Sequence, residues 1–311
     1  MKDEVNVTSY RTTATVLITF QAFAGLWINA FIISMLSISW VKKRSFSSFE
    51  KILLFLGCCR FLYLCISWVY TFLVSIYSWC IFVHPIPQLL AAIQSFFVAS
   101  NLWVSACLCG FYCIKIVNFR HIFFIYLKAK IDKIVPYLFL SSVFLSLIFS
   151  IVAYDMTDKT LYNYFNSTRQ GDSWKLTIRM DEHTMALLVI FSFVFSSAFM
   201  VVISSALLLL FSLWRHKSNM QTKSVKNISV VAHIKAMKNI MLFLFLYTSN
   251  FTCLILTVIH LLKQDDFVTF FILVFQYVFP VVHSLNLILS NPKLEKTLLK
   301  TLSRVKCKVC R

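Results

Sequence analysis

Glycine, proline and charge are all scarce in this chain. Its 311 residues include 4 glycines, 5 prolines and 12 acidic side chains, and charged residues of both signs make up only 14%. A water-soluble domain carries roughly a quarter charged residues, so that class is excluded. With so little glycine there is no glycine-rich phosphate cradle, and no His-Glu-x-x-His run occurs. The long apolar stretches hold no Asp or Glu. A proton-coupled pump or an intramembrane metalloprotease normally needs such groups at membrane depth. No internal repeat is visible, and seven stretches do not divide into two equal inverted halves, which argues against a common secondary transporter.

What the chain does have is apolar bulk: 59% hydrophobic residues, 32 of them phenylalanine. These are gathered into seven stretches, at 16–40, 52–77, 89–116, 134–154, 185–214, 239–260 and 268–290. Each is at least about 20 residues long, enough at about 1.5 Å per residue to cross about 30 Å of hydrocarbon. The expected fold is an all-α membrane protein, one seven-helix bundle spanning residues 1–311, with the lipid bilayer as its solvent. Residues 1–15 form an outer terminus and 291–311 an inner tail. The first helix serves as its own insertion signal, because Asp3, Glu4 and their polar neighbours do not resemble a cleavable leader.

The charge distribution gives the orientation. Of the 30 basic residues, 22 fall in the three alternate gaps at 41–51, 115–133 and 215–238 and in the tail from residue 291. By the positive-inside rule that side is cytoplasmic, the N-terminus is outside and the tail is inside. The net charge of +18 is then a topology signal suited to anionic inner-leaflet lipid, and nucleic acid is not an expected partner. On this topology Asn6-Val7-Thr8 and Asn166-Ser167-Thr168 are outer glycosylation acceptors.

Arg60 is the residue within the membrane that most needs a partner. It lies about nine residues, roughly 13 Å, inside the second stretch from its basic end. A lipid-facing arginine there costs several kcal/mol. Asn29 on the first stretch and Ser284 and Asn286 on the seventh lie at similar depth, with His283 just past Pro280. One reading is a polar latch joining helices 1, 2 and 7; the other is an arginine snorkelling to the inner headgroups. Neither His283 nor the Cys307-x-x-Cys310 pair has the companions a metal site requires, and no catalytic or cofactor site is expected. Cys307 and Cys310 suit palmitoylation at the inner leaflet. Lys115 and His233, at the inner ends of helices 3 and 6, can meet a partner protein or anchor at the headgroups.

Six segments carry a family resemblance, in order and at matching topological positions. They are Asn29-Ala30-Phe31-Ile32 in helix 1, Leu56-Gly57-Cys58-Cys59-Arg60 in helix 2, and Phe111-Tyr112-Cys113-Ile114-Lys115 at the end of helix 3. Next come Ser212-Leu213-Trp214-Arg215-His216 ending helix 5 and His233-Ile234-Lys235-Ala236-Met237-Lys238 entering helix 6. Last is His283-Ser284-Leu285-Asn286-Leu287-Ile288-Leu289 with Ser290-Asn291-Pro292. Together they resemble the vertebrate type 2 (bitter) taste receptors, over the whole chain. Trp27, Ile28, Ala30 and Glu295 depart from the family pattern. The outer loop at 155–183 also lacks the cysteine that staples this loop to helix 3 in most rhodopsin-like receptors.

The resemblance implies a G-protein-coupled receptor in the plasma membrane. It would bind bitter compounds among helices 3, 5, 6 and 7 and act on a gustducin-type heterotrimeric G protein. Counting from the motifs, Gln94 and Val98 fall at contact positions on helix 3, and by spacings of four, three and four Asn101 and Ser105 share their bundle-facing side. Asn250 takes a contact position on helix 6, and Leu273 and Gln276 stand on helix 7. The family's usual aromatic and acidic contacts are replaced here, which implies a neutral, amphipathic agonist; the alternative is that Gln94, Asn101 and Asn250 only bridge helices. Asn29, Arg60, His283 and Ser284 form the expected latch. Tyr112, Lys115, His216, His233 and Lys238 form the expected G-protein side. The rival readings are a vomeronasal type 1 receptor and a polytopic transporter. The Ser/Lys-rich segment 218–231 reads as a mobile inner loop.

Overall fold

A computed structural model of the chain describes residues 2–76, 83–117, 122–169, 182–221, 227–263 and 266–309. These form eight helices: α1 (Lys2–Lys43), α2 (Ser48–Ile76), α3 (Ile86–Ile116), α4 (Ile122–Arg169), α5 (Glu182–Gln221), α6 (Asn227–Lys263), α7 (Asp266–Ser290) and α8 (Pro292–Val309). No strand occurs among the described residues. Six helices hold a segment long and apolar enough to cross a membrane: Thr15–Lys42, Ser48–Leu73, Ile86–Ile116, Phe124–Lys159, Ser192–Arg215 and Ile234–Leu256. In α7 the described apolar segment is shorter, Val274–Ser290, but the helix has 25 residues. At about 1.5 Å per residue it reaches ~37 Å, long enough to cross. The expected all-α membrane bundle is the one observed.

The helix ends differ from the apolar boundaries. α4 continues to Arg169, so most of the polar stretch expected as an outer loop before residue 170 is helical. The Asp155–Lys159 pair, at 2.8 Å and one turn apart, and the Thr157 hydroxyl bonding the Ala153 carbonyl at 2.7 Å support that extension. α1 likewise begins at Lys2, within the segment read as an outer terminus. At the basic end α5 runs to Gln221 and α6 starts at Asn227, which places most of 218–231, expected as a loop, in helix. Apolar periodicity ends where lipid ends, but helix propensity does not. Without glycine or proline to stop them, these helices run on into water.

Where stops exist they are chemical. Ser47 and Glu50 form a reciprocal cap ahead of α2: the Ser47 N–H donates to Glu50 Oε2 at 3.0 Å, and the Glu50 N–H donates to Ser47 Oγ at 3.3 Å. Asn291 caps α8, accepting at Oδ1 from the Lys293 N–H at 3.0 Å, and Pro292 supplies the first turn. The tail is thus an amphipathic helix after residue 291. Leu294 and Leu298 are buried against Ile52, Leu53 and Leu287 in the inner core. Lys293 Nζ donates to Ser39 Oγ on α1 at 2.9 Å.

Packing runs α1–α2–α3–α5–α6–α7 and closes through α1 and α7, with α4 laid against α3. α3 is the central rod, with 61% of its apolar window buried. Two polar links fasten it antiparallel to α4: Gln88 Nε2 donates to Asp158 Oδ1 at 2.9 Å at one end, and Lys115 Nζ meets Asp132 Oδ2 at 2.8 Å at the other. The bundle is apolar outside as well as inside. Phe20, Tyr137, Ile151, Phe193 and Phe245 are all largely exposed, as lipid-facing side chains must be.

Candidate functional site

Helical period places Arg60 inside the bundle. Leu53, Leu56, Arg60, Leu64 and Ser67 recur at spacings of three and four on α2, and all are buried. The same period aligns Gly25 and Asn29 on α1, Asn101 and Ser105 on α3, and Pro280, His283, Ser284 and Leu287 on α7. The four stripes converge on the guanidinium, which is 1% exposed. It faces the bundle interior and not the headgroups.

Each side of the guanidinium fork is used. Nε donates to Asn101 Oδ1 at 2.8 Å, Nη1 to Ser284 Oγ at 2.9 Å and Nη2 to Ser105 Oγ at 3.3 Å. Nη2 also meets His283 Nδ1. Arginine only donates, so Nδ1 accepts and the His283 proton sits on Nε2. That nitrogen has no hydrogen-bond partner among the described residues. The imidazole lies against the Phe243 and Phe279 rings, at 4.9 and 5.4 Å between centroids. Phe279 also receives the Arg60 cation over its face at 6.0 Å. Ser284 Oγ–H in turn donates to Asn29 Oδ1 at 2.8 Å, and Asn29 Nδ2 donates to the Gly25 carbonyl at 2.8 Å.

The result is a buried cation with no carboxylate partner among the described residues. It is held by neutral dipoles drawn from α3 and α7, with α1 joined through Ser284. Desolvating such a charge costs several kcal/mol, which these acceptors must offset together. None of them carries a negative charge, so the cation is stabilised by dipoles alone among the described residues.

The network around Arg60 therefore includes α3, which the expected latch of helices 1, 2 and 7 left out. Ser105 joins it, and so does Asn101, which was placed with the ligand contacts. Their four-residue spacing showed a shared face but not which partner that face meets. Asn286 turns the other way, its Nδ2 reaching the Asn239 carbonyl on α6 at 3.2 Å. Gln94 Nε2 bonds Ser67 Oγ on α2 at 3.3 Å, and Val98 packs with Tyr63, Leu64 and Tyr277. Asn250 and Gln276 are half-buried, and neither bonds Gln94 among the described residues. The Leu273 side chain lies outside the described residues.

At the lysine- and arginine-rich end of the bundle Tyr112 packs against Phe49 at 5.4 Å, and Lys115 is engaged by Asp132. Lys238 is exposed and borders a cavity of about 320 Å³ with Ile234, Met237 and Met241. The His216 and His233 side chains, and those of the sequon residues Asn6 and Asn166, lie outside the described residues.

Comparison with known proteins places this arrangement. The sequence profile of the family described as "Taste receptor protein (TAS2R)" matches residues 7–306. Taste receptor type 2 member 9 of Homo sapiens is 31% identical over 296 residues, covering 94% of each chain. Taste receptor type 2 member 123 of Mus musculus is 31% identical over 327 residues, covering 96% of this chain and 95% of its own. Member 110 of Mus musculus is also 31% identical, over 330 residues and 99% of this chain.

Proposed function

The chain belongs to the taste receptor type 2 family, a receptor family and not an enzyme family, and from that premise we propose that it detects neutral bitter compounds and couples to a gustducin-type heterotrimeric G protein. It is a multi-pass plasma-membrane protein; we propose further that its N-terminus is outside and its tail inside. The agonist enters among helices 3, 5, 6 and 7, against Gln94, Val98, Asn250, Leu273 and Gln276. Tyr112, Lys115, His216, His233 and Lys238 meet the G protein. Asn6 and Asn166 are the outer glycosylation acceptors.

One observation carries the mechanism: Arg60 ties α2 to α3 and α7, and through Ser284 to α1, by neutral acceptors alone. A hub of several moderate bonds has alternative pairings of similar energy, which is what a two-state element needs. The agonist does not push the inner face open. It binds the open state more tightly and so shifts the population toward it. Asn101, bonded to Arg60, connects the α3 face bearing Gln94 and Val98 to the hub.

The test is agonist-dependent calcium release in cells supplied with a gustducin-type Gα chimera and screened against a library of bitter compounds. The expected result is a concentration-dependent response to at least one neutral amphipathic compound, absent without the chimera. Solute uptake without any G-protein response would instead favour a transporter.

A further inference from the structure

The basic inner side carries three carboxylates, Glu50, Asp132 and Glu295. Glu50 caps α2 and Asp132 holds Lys115. Glu295, on α8, grips Lys235 on α6 through both oxygens, at 2.8 and 2.7 Å, across 60 residues of sequence. The two ends of this contact are unequally held. α8 is a fixed platform, with Leu294 and Leu298 in the core and Lys293 bonded to Ser39. α6 is the least embedded of the six long crossings, with 17% of its apolar window buried.

We infer that the Lys235–Glu295 pair is a clasp that holds the inner end of α6 against α8 and so sets the level of signalling without agonist. This rests on the proposed G-protein coupling. The surrounding charge gives the direction. Glu295 is the only carboxylate between Asn291 and Arg311, a segment that also carries Lys293, Lys296 and Lys300, while α6 brings Lys235 and Lys238. Without Glu295, two sets of like charges face each other and favour separation. Outward movement of α6 must break the clasp, so the closed state alone benefits from it. Glu295 is one of the departures from the family pattern, and the clasp gives that departure a role.

The experiment uses the full-length receptor with Glu295→Gln, Glu295→Lys and the swap Lys235→Glu with Glu295→Lys. Two quantities are read. One is hydrogen exchange at the inner turns of α6 in purified receptor in lipid nanodiscs. The other is agonist-free calcium signalling per receptor at the cell surface. For a partly exposed ion pair, Glu295→Gln should raise both about two- to five-fold. Glu295→Lys should raise them further, and the swap should return exchange close to that of the parent. Exchange unchanged in both single variants, or a swap that exchanges as fast as Glu295→Lys, overturns the clasp. Exchange that rises while signalling stays flat supports the clasp and instead counts against the G-protein coupling.

Discussion

Ser284 stands between Arg60 and Asn29: its hydroxyl accepts from the guanidinium at 2.9 Å and donates to the asparagine carbonyl oxygen at 2.8 Å. One rotatable hydroxyl thus connects a buried charge on α2 to a buried amide on α1. A backbone polar group could not do this, since a carbonyl only accepts and an N–H only donates, whereas a hydroxyl does both.

Replacing Arg60 should separate folding from signalling. Arg60→Leu removes the cation and its desolvation cost, but leaves the Asn101, Ser105 and His283 acceptors without their donor. Unpaired buried groups cost about 1–3 kcal/mol each. Part of the receptor should still reach the surface, while the agonist response is abolished. Arg60→Lys keeps the charge but not the fork, and should restore the response only in part. Surface labelling alongside calcium measurement checks this; a full response from Arg60→Leu would remove the latch from the mechanism.

Two glycines should behave oppositely. A Cβ at Gly25 would stand 2.6 Å from Leu64 Cδ1 and 2.7 Å from Val281 Cγ2, in a region where Leu64 is fully buried. Gly25→Ala should therefore wedge α1 away from α2 and α7 and destabilise the receptor by about 1–3 kcal/mol. At Gly110 an added Cβ meets nothing within 4 Å. Gly110→Ala should be neutral, or stabilising by up to about 1 kcal/mol through helix propensity. Thermal unfolding of the two purified variants decides; equal losses would contradict the packing.

The sequence revealed the intramembrane architecture better than the helix ends. Arg60 was legible because a charge among Leu53, Leu56 and Leu64 has no cheap place except the interior, and Asn29 and Ser284 stood at its depth. Ser105 was legible only as sharing the bundle-facing side of helix 3 with Asn101, because spacing along one helix does not name a partner on another. The inner tail was read from its charge alone. Yet Leu294 and Leu298 recur at one helical turn among the lysines, after an Asn-Pro start, and those are the marks of a capped amphipathic helix. The helical extensions of α4 and α5 left no periodic trace, since polar residues in water support a helix by propensity without patterning it.

The ligand site is tested on the helices that face each other. Gln94→Ala and Asn250→Ala should each shift the potency of some bitter agonists at least about tenfold, equivalent to ~1.4 kcal/mol. Ser67→Ala, which removes only the α2 partner of Gln94, should have a smaller effect. Unchanged potency across the panel for both pocket variants would mean that the amides only bridge helices.

Orientation is tested with epitope tags. A tag ahead of Met1 should be accessible to antibody on intact cells, and one after Arg311 only after permeabilisation. Treatment with an N-glycosidase should increase gel mobility, and Asn166→Gln should reproduce that shift. A cytosolic N-terminal tag would invert the whole assignment of binding and coupling faces.

Gln88 with Asp158 and Lys115 with Asp132 pin α3 to α4 at both extremities. With the most extensive helix–helix packing in the bundle between them, the two rods form the couple least free to slide. Against that couple the helix cheapest to displace is α6, which is the least buried of the six long crossings and rests chiefly on α5 and α7.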